Sequence, residues 1–282
     1  MIGSRRRRQI NRILFPYLPL IIVLIVLLFP FYWMIITSLK TIGETYNLNT
    51  PLIVKQPTLE NYAWLFVKSN FARWFLNSVT VSLSTTLFSL LISVMAGYAI
   101  AHLRFRAAAV IGILIFITYL IPRTLLFIPV TMVTQQLGAY GKMGSLILVY
   151  PTFVIPFCTW LLSGYFRTLP LEPEECAMVD GCSRVGAIIR ITLPLAVPGI
   201  LTAGIFGFTL AWNELLYAIV LVNGEMNRTL PVGIVNHLIN RDTYLWGPLM
   251  AGATLGSIPV ALFYFFFMDL YVGGLTAGAV KG

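Results

Sequence analysis

The chain has 282 residues, 58% of them hydrophobic and 10% charged, with 19 Lys and Arg against 10 Asp and Glu and a formal net charge of +9. Soluble domains are about a quarter charged and disordered chains combine low hydrophobicity with high charge, so both classes are excluded and an integral membrane protein remains. The positive surplus does not point to nucleic acid, because Arg5, Arg6, Arg7, Arg8 and Arg12 crowd one N-terminal arm instead of covering a face.

A spanning helix needs about 20 largely apolar residues. Six stretches meet that length, at about 15–38, 75–101, 107–130, 145–166, 191–222 and 246–272. The first is too long for a signal peptide, and five more spans follow it. The basic arm, residues 1–14, is expected to hold the N-terminus in the cytoplasm, and an even number of spans returns the tail, 273–282, to the same side. The expected fold is therefore an all-α membrane protein of six transmembrane helices with both termini cytoplasmic. Pro122, Pro129, Pro151, Pro156, Pro194, Pro198 and Pro259 fall within or beside the later spans, where proline kinks a helix. Small residues recur at helical spacing in Ser89, Ser93 and Gly97 and in Gly252 and Gly256. They let helices approach closely, and packing within one subunit is the preferred reading over a subunit interface.

Several chemistries find no support in the residues. Gly138-Ala139-Tyr140-Gly141-Lys142 lacks the spacing of a phosphate-cradling loop. Cys158, Cys176 and Cys182 acquire no histidine partner, so neither a metal site nor a disulfide is expected. His102 and His237 fall on opposite sides of the membrane, and no catalytic residues can be nominated. Ionisable residues inside spans are functional candidates by default, yet only Arg123, Glu214 and Asp269 qualify. Arg123 and Asp269 are close enough to a surface to reach it, which leaves Glu214 as the deep one. A lone deep carboxylate argues against an ion relay and places the energy source outside the helices.

The loop at about 167–190 carries the most information. Glu172, Glu174 and Glu175 cluster with Pro173 where a helix starts, which suits the positive end of the helix dipole and a first-turn proline. Asp180-Gly181 supplies the stop, and a second helical stretch from Ser183 leads into Leu193-Pro194. On physics alone this knob is either an amphipathic connector or a docking element.

Glu175-Cys176-Ala177, three residues, Gly181, nine residues, Ile191, one residue and Leu193-Pro194 resemble the EAA loop of binding-protein-dependent ABC importer permeases at every spacing. Cys176 stands where alanine is usual. Pro57-Thr58-Leu59-Glu60-Asn61-Tyr62 with Asn77-Ser78 resembles the first outer loop and second span of carbohydrate-type permeases, and Ala211-Trp212-Asn213-Glu214 and the tail are similar to the maltose G-type subunit.

The resemblance implies the type I ABC importer permease fold in residues 15–272. It implies that the chain forms half of a sugar pathway with a sister permease, above a cytoplasmic ABC ATPase dimer that uses ATP and Mg, while this chain binds no cofactor. It implies an extracytoplasmic solute-binding protein meeting the outer loops, and a multi-pass position in a bacterial or archaeal inner membrane among its lipids. Glu174, Glu175, Cys176, Ala177, Asp180, Gly181, Ile191, Leu193 and Pro194 are then the candidate ATPase-coupling residues. Trp212, Asn213 and Glu214 are candidate pathway residues, with an equally open reading of Glu214 as a structural hydrogen-bonding group in the bundle. Thr276, Gly278 and Lys281 are candidate tail contacts with the ATPases. The competing classes are an ion-coupled carrier or channel acting alone, and an ABC permease for a solute other than sugar.

Overall fold

The structure, a computed structural model, describes residues 2–47, 52–103, 106–240 and 243–276, with side chains for 17–47, 52–103, 106–239 and 244–268. The first half contains α1 (Ile2–Ser38), α2 (Ile42–Thr45), α3 (Glu60–Lys68), α4 (Phe71–His102), α5 (Ala108–Leu120), α6 (Arg123–Gln136) and α7 (Gly144–Val149). The second half adds α8 (Pro151–Phe166), α9 (Glu172–Val179), α10 (Arg184–Ala187), α11 (Leu193–Trp212), α12 (Leu216–Leu221), α13 (Leu230–Leu238) and α14 (Trp246–Thr276). A two-residue antiparallel ladder pairs Ile239 with Tyr244 and Asn240 with Thr243.

Four of the six expected spans are single apolar runs: Tyr17–Ser38, Phe71–His102, Gly144–Phe166 and Trp246–Met268. The other two are interrupted. The third, read as continuous over 107–130, is broken into α5 and α6, which meet at 96°. Its cause is Pro122. A residue preceding proline is driven out of the helical region, and Ile121 is accordingly extended at φ −67°, ψ 124°. The 13 residues of α5 reach about 20 Å at 1.5 Å per residue, short of a hydrocarbon core of about 30 Å. The fifth span, read as 191–222, runs instead from Arg184 to Trp212. Asn213 to Leu215 interrupt it, and α12 resumes beyond. Near its start Ile188–Thr192 form a π turn, in which the Leu193 amide bonds back to Ile188. Pro194 follows at once, where its ring would collide with the carbonyl four residues earlier in a regular helix, and the widened turn accommodates it.

The chain forms two compact units, Met1–Ser69 with Asn236–Gly256, and Asn70–Val235 with Ser257–Gly282. In the first, the turn after α1 is clamped from α3. Asn61 Nδ2 donates to the carbonyls of Ser38 (2.9 Å) and Lys40 (2.8 Å), and the Ser38 and Tyr62 hydroxyls are 2.7 Å apart. Lys40 is buried, its ammonium 4.8 Å from the centre of the Trp33 ring. Most of α1 between Tyr17 and Phe31 stays exposed, as suits a helix bathed in lipid or a neighbouring chain.

In the second unit α4 packs most extensively against α8 and then α11. Gly97 makes the closest approach possible, since a Cβ there would lie 3.0 Å from Leu162 Cβ and 3.1 Å from the Ser163 amide nitrogen. Ser89 and Ser93 are buried on the same side, and Ser93 Oγ donates to the Ile155 carbonyl. This small-residue stripe is thus used inside the chain. At the start of α4, Trp74 Nε1 donates to the Glu225 carbonyl, and Asn77 Nδ2 donates to those of Met226 and Arg228. Ser78 Oγ accepts from the Leu230 amide at 2.7 Å. Together they fix the connection between α12 and α13.

Candidate functional site

The loop after α8 folds as two short helices around a glycine turn. Pro173 occupies the first turn of α9, with Glu172, Glu174 and Glu175 at the same end. The stop is a Schellman motif: Gly181 has φ +91°, its amide donates to the Met178 carbonyl at 3.1 Å, and the Cys182 amide reaches back to Ala177 at 2.9 Å. Left-handed geometry is easy for glycine and strained for a residue with a Cβ. Ser183 then caps α10, its hydroxyl accepting from the Gly186 amide at 3.2 Å.

The candidate coupling residues divide into two groups. Of the candidates, Glu175 and Cys176 are exposed and share one helical face with Glu172 and Val179 at positions i, i+3, i+4 and i+7, with Asp180 and Gly181 exposed at its end. Val179 is 87% exposed, a large apolar surface to display outside a bundle. The second group seats the loop. Ala177 is half-buried, while Leu193 joins Leu169 and Ile188 against a core of Phe166, Leu162 and Ala196. Ile191 is half-buried and Pro194 exposed at the base of α11.

Glu174 faces inward and is 5% exposed. Its Oε1 accepts from the Tyr98 hydroxyl and its Oε2 from the Thr192 hydroxyl, both at 2.5 Å. Tyr98 belongs to the last turns of α4, and Thr192 ends the π turn below α11. Tyr98 also meets His102 and Phe166 edge to face, and His102 Nε2 lies 2.8 Å from the Phe166 carbonyl. Tyr98 and Thr192 escape a reading of the sequence, since nothing marks either one.

The second constellation lies where the third and fifth spans break. Glu214 accepts from the amides of Tyr217 (3.1 Å) and Ala218 (3.2 Å), satisfying the start of α12, and from the Tyr150 hydroxyl at 2.9 Å. Glu214 is half-buried and hydrogen-bonded within the bundle, as its structural reading expects. Trp212, expected along the pathway, is buried among Phe75 and Phe208 at ring distances of 5.5 Å. A flat indole has enough area to fill that core, and it presents no open face. Asn213 is exposed, its amide bonded back to the Thr209 carbonyl. Beside the break between α5 and α6, Thr118, Tyr119, Ile121, Arg123, Leu126, Thr152 and Phe153 line a cavity of about 360 Å³. The Arg123 guanidinium stands 5.7 Å from the Phe153 ring centre. Thr276 ends α14 without a described side chain, Asp269 lies outside the described side chains, and Gly278 and Lys281 lie outside the described residues.

The described residues thus show apolar spans, two of them interrupted, a glutamate that caps the helix after one interruption, and an acidic helix displayed on a glycine turn. Residues 89–276 match the family described as binding-protein-dependent transport system inner membrane component, and the chain belongs to that family. It is 36% identical to the inner membrane ABC transporter permease protein YcjP of Escherichia coli over 99% of this chain and 100% of that protein. It is 36% identical to the sulfoquinovosyl glycerol transport system permease protein SmoH of Agrobacterium fabrum, over 90% of this chain and 89% of that one. Identity to the trehalose/maltose transport system permease protein MalG of Thermococcus litoralis is 31%, covering 93% and 94%. The fold matches a chain of a bacterial ABC transporter involved in the import of the acidic polysaccharide alginate, with a TM-score of 0.79 at 19% identity, covering 96% of this chain and 98% of that one. The chain is thus an inner-membrane permease component with the ABC importer permease fold.

Proposed function

We propose that this chain is one of two permease subunits in an ATP-driven sugar importer. A sister permease completes the pathway, a cytoplasmic ATPase dimer holding ATP and Mg drives it, and an extracytoplasmic binding protein delivers a di- or oligosaccharide. Relatives whose names specify trehalose and maltose, diacetylchitobiose or sulfoquinovosyl glycerol support the sugar assignment. The chain itself supplies no ATPase; it supplies the moving spans. The observation that carries the coupling role is the exposed face Glu172, Glu175, Cys176 and Val179 ending on the Schellman turn at Gly181. Acidic and apolar groups side by side suit a basic-rimmed groove with an apolar floor, and a glycine at the tip lets the groove approach the backbone. With both termini in the cytoplasm, this face lies on the ATPase side.

Cys176 provides the test, because its thiol is exposed and free. In a Cys182→Ser background, a short bifunctional maleimide should join Cys176 to an engineered cysteine in the groove of the ATPase subunit. The yield should change between nucleotide-free and ATP-bound states. Labelling of Cys176 by a soluble maleimide that is unaffected by the bound ATPase would rule the docking face out.

A further inference from the structure

Glu174 is set among the coupling residues, yet it turns its back on any partner. Each of its carboxylate oxygens takes one hydroxyl proton, from Tyr98 in α4 and from Thr192 at the root of α11. All three residues are at least nine-tenths buried, at 5%, 6% and 4% exposure. Among the described residues the carboxylate is hydrogen-bonded by these two neutral hydroxyls, a costly way to fill space that an apolar side chain would fill at lower free energy. What the carboxylate adds is direction: one rigid side chain binds the same short helix to two different spans at defined angles. The Tyr98 ring is in turn wedged between His102 and Phe166, so the α4 end of the tie sits on a packed platform with α8. At the other end, Thr192 closes the π turn that leads into α11.

We infer that Glu174 is a positioning residue that carries displacement of α9 into α4 and α11 together, while Glu175 and its neighbours make the contact with the ATPase. Without the tie, α9 remains connected to the bundle through Leu169 and through the π turn, which bends more readily than a regular helix. The ATPase would still dock on the exposed face, but its closure would be absorbed in the loop. The inference rests on the coupling role proposed above for this loop.

The test uses the whole transporter, permease pair, ATPase and binding protein, in proteoliposomes, with Glu174→Ala, Glu174→Gln, Tyr98→Phe and Glu175→Lys compared to the unmodified chain. Glu174→Ala should still co-purify with the ATPase subunit, while solute imported per ATP hydrolysed falls by about tenfold, the scale of a lost charge-assisted hydrogen bond. Glu174→Gln keeps an acceptor and gains a donor that a hydroxyl can accept, so it should restore the ratio to within about threefold. Tyr98→Phe keeps the Thr192 bond, is expected to fold, and should give an intermediate ratio. An unchanged import ratio in Glu174→Ala, or in Tyr98→Phe should the alanine permease itself not fold, would overturn the inference. So would loss of the ATPase subunit from Glu174→Ala. Retention of the ATPase with normal import by Glu175→Lys would instead remove the coupling reading on which the inference stands.

Discussion

Tyr217 donates its hydroxyl proton to the main-chain oxygen of Arg123 at 2.7 Å, and so ties the break in the fifth span to the break in the third. An interrupted helix inside a membrane leaves polar backbone groups without intrahelical partners, and these must be satisfied within the protein. Here Tyr217, in the first turn of α12, adds a donor to a carbonyl in the first turn of α6, so the bond fixes the two restarted helices to each other. The Tyr217 ring meets that of Phe153 at 4.8 Å with a 50° tilt, and the Arg123 guanidinium lies 5.7 Å from the same Phe153 ring, so the two breaks share one aromatic wall.

Tyr217→Phe removes the bond while keeping the ring. It should lower stability by about 1 kcal/mol, the net value of a typical hydrogen bond, by removing the second donor to the Arg123 carbonyl. Thermal unfolding in detergent, followed by exposure of buried Cys158 to a thiol dye, reads the change. An unaltered midpoint would show that the tie contributes nothing.

Glu214 caps α12 from outside the usual capping position, and its role separates cleanly by substitution. Glu214→Gln retains an oxygen for the Tyr217 and Ala218 amides and should assemble normally. Glu214→Ala strands both amides and the Tyr150 hydroxyl, and should cost about 1–2 kcal/mol. Equal assembly of the two variants, measured as yield of monodisperse complex, would contradict a capping role.

Gly97 is tested by size. Gly97→Val pushes α4 away from α8 at Leu162 and Ser163 and should destabilise by about 1–3 kcal/mol, as overpacking of a tight core does. The same change at Gly164, where a Cβ would meet nothing within 4 Å, is the control and should be nearly silent. A reversed order in the two melting curves would refute the packing assignment.

Gly181 makes a different contrast, because a Cβ there would also meet nothing within 4 Å, yet φ is +91°. Gly181→Ala should therefore show only the backbone strain of about 1 kcal/mol. Gly181→Arg should insert into the membrane in normal amounts and abolish import, since the bulk can clash only with a docked partner. Normal import by the arginine variant with its ATPase bound would show that no partner approaches this turn.

The legible parts of this molecule were those written in local sequence. Apolar runs marked the spans, and Asp180-Gly181 marked a helix stop that became the Schellman turn. Pro122 was visible, but a proline in a span can kink a helix or end it, and Ile121 decided the matter by adopting an extended conformation. Nothing comparable announces the break at Asn213 to Leu215. It depends on a carboxylate capturing two amides, and a glutamate in an apolar run reads equally well as a pathway residue. Trp212 misled for the same reason: an indole suits a sugar face or a core, and its neighbours Phe75 and Phe208 are brought to it only by the fold. The Tyr98–Glu174 bond joins residues 76 positions apart and has no signature in the chain.

Those distant bonds matter only if the spans are driven from outside, and the most direct measurement is uptake into liposomes. The chain reconstituted alone should accumulate no sugar under a proton or sodium gradient. With its sister permease, ATPase and loaded binding protein, it should import sugar in strict dependence on hydrolysable ATP. Gradient-driven uptake by the chain alone, or uptake by the full assembly without ATP hydrolysis, would contradict the account.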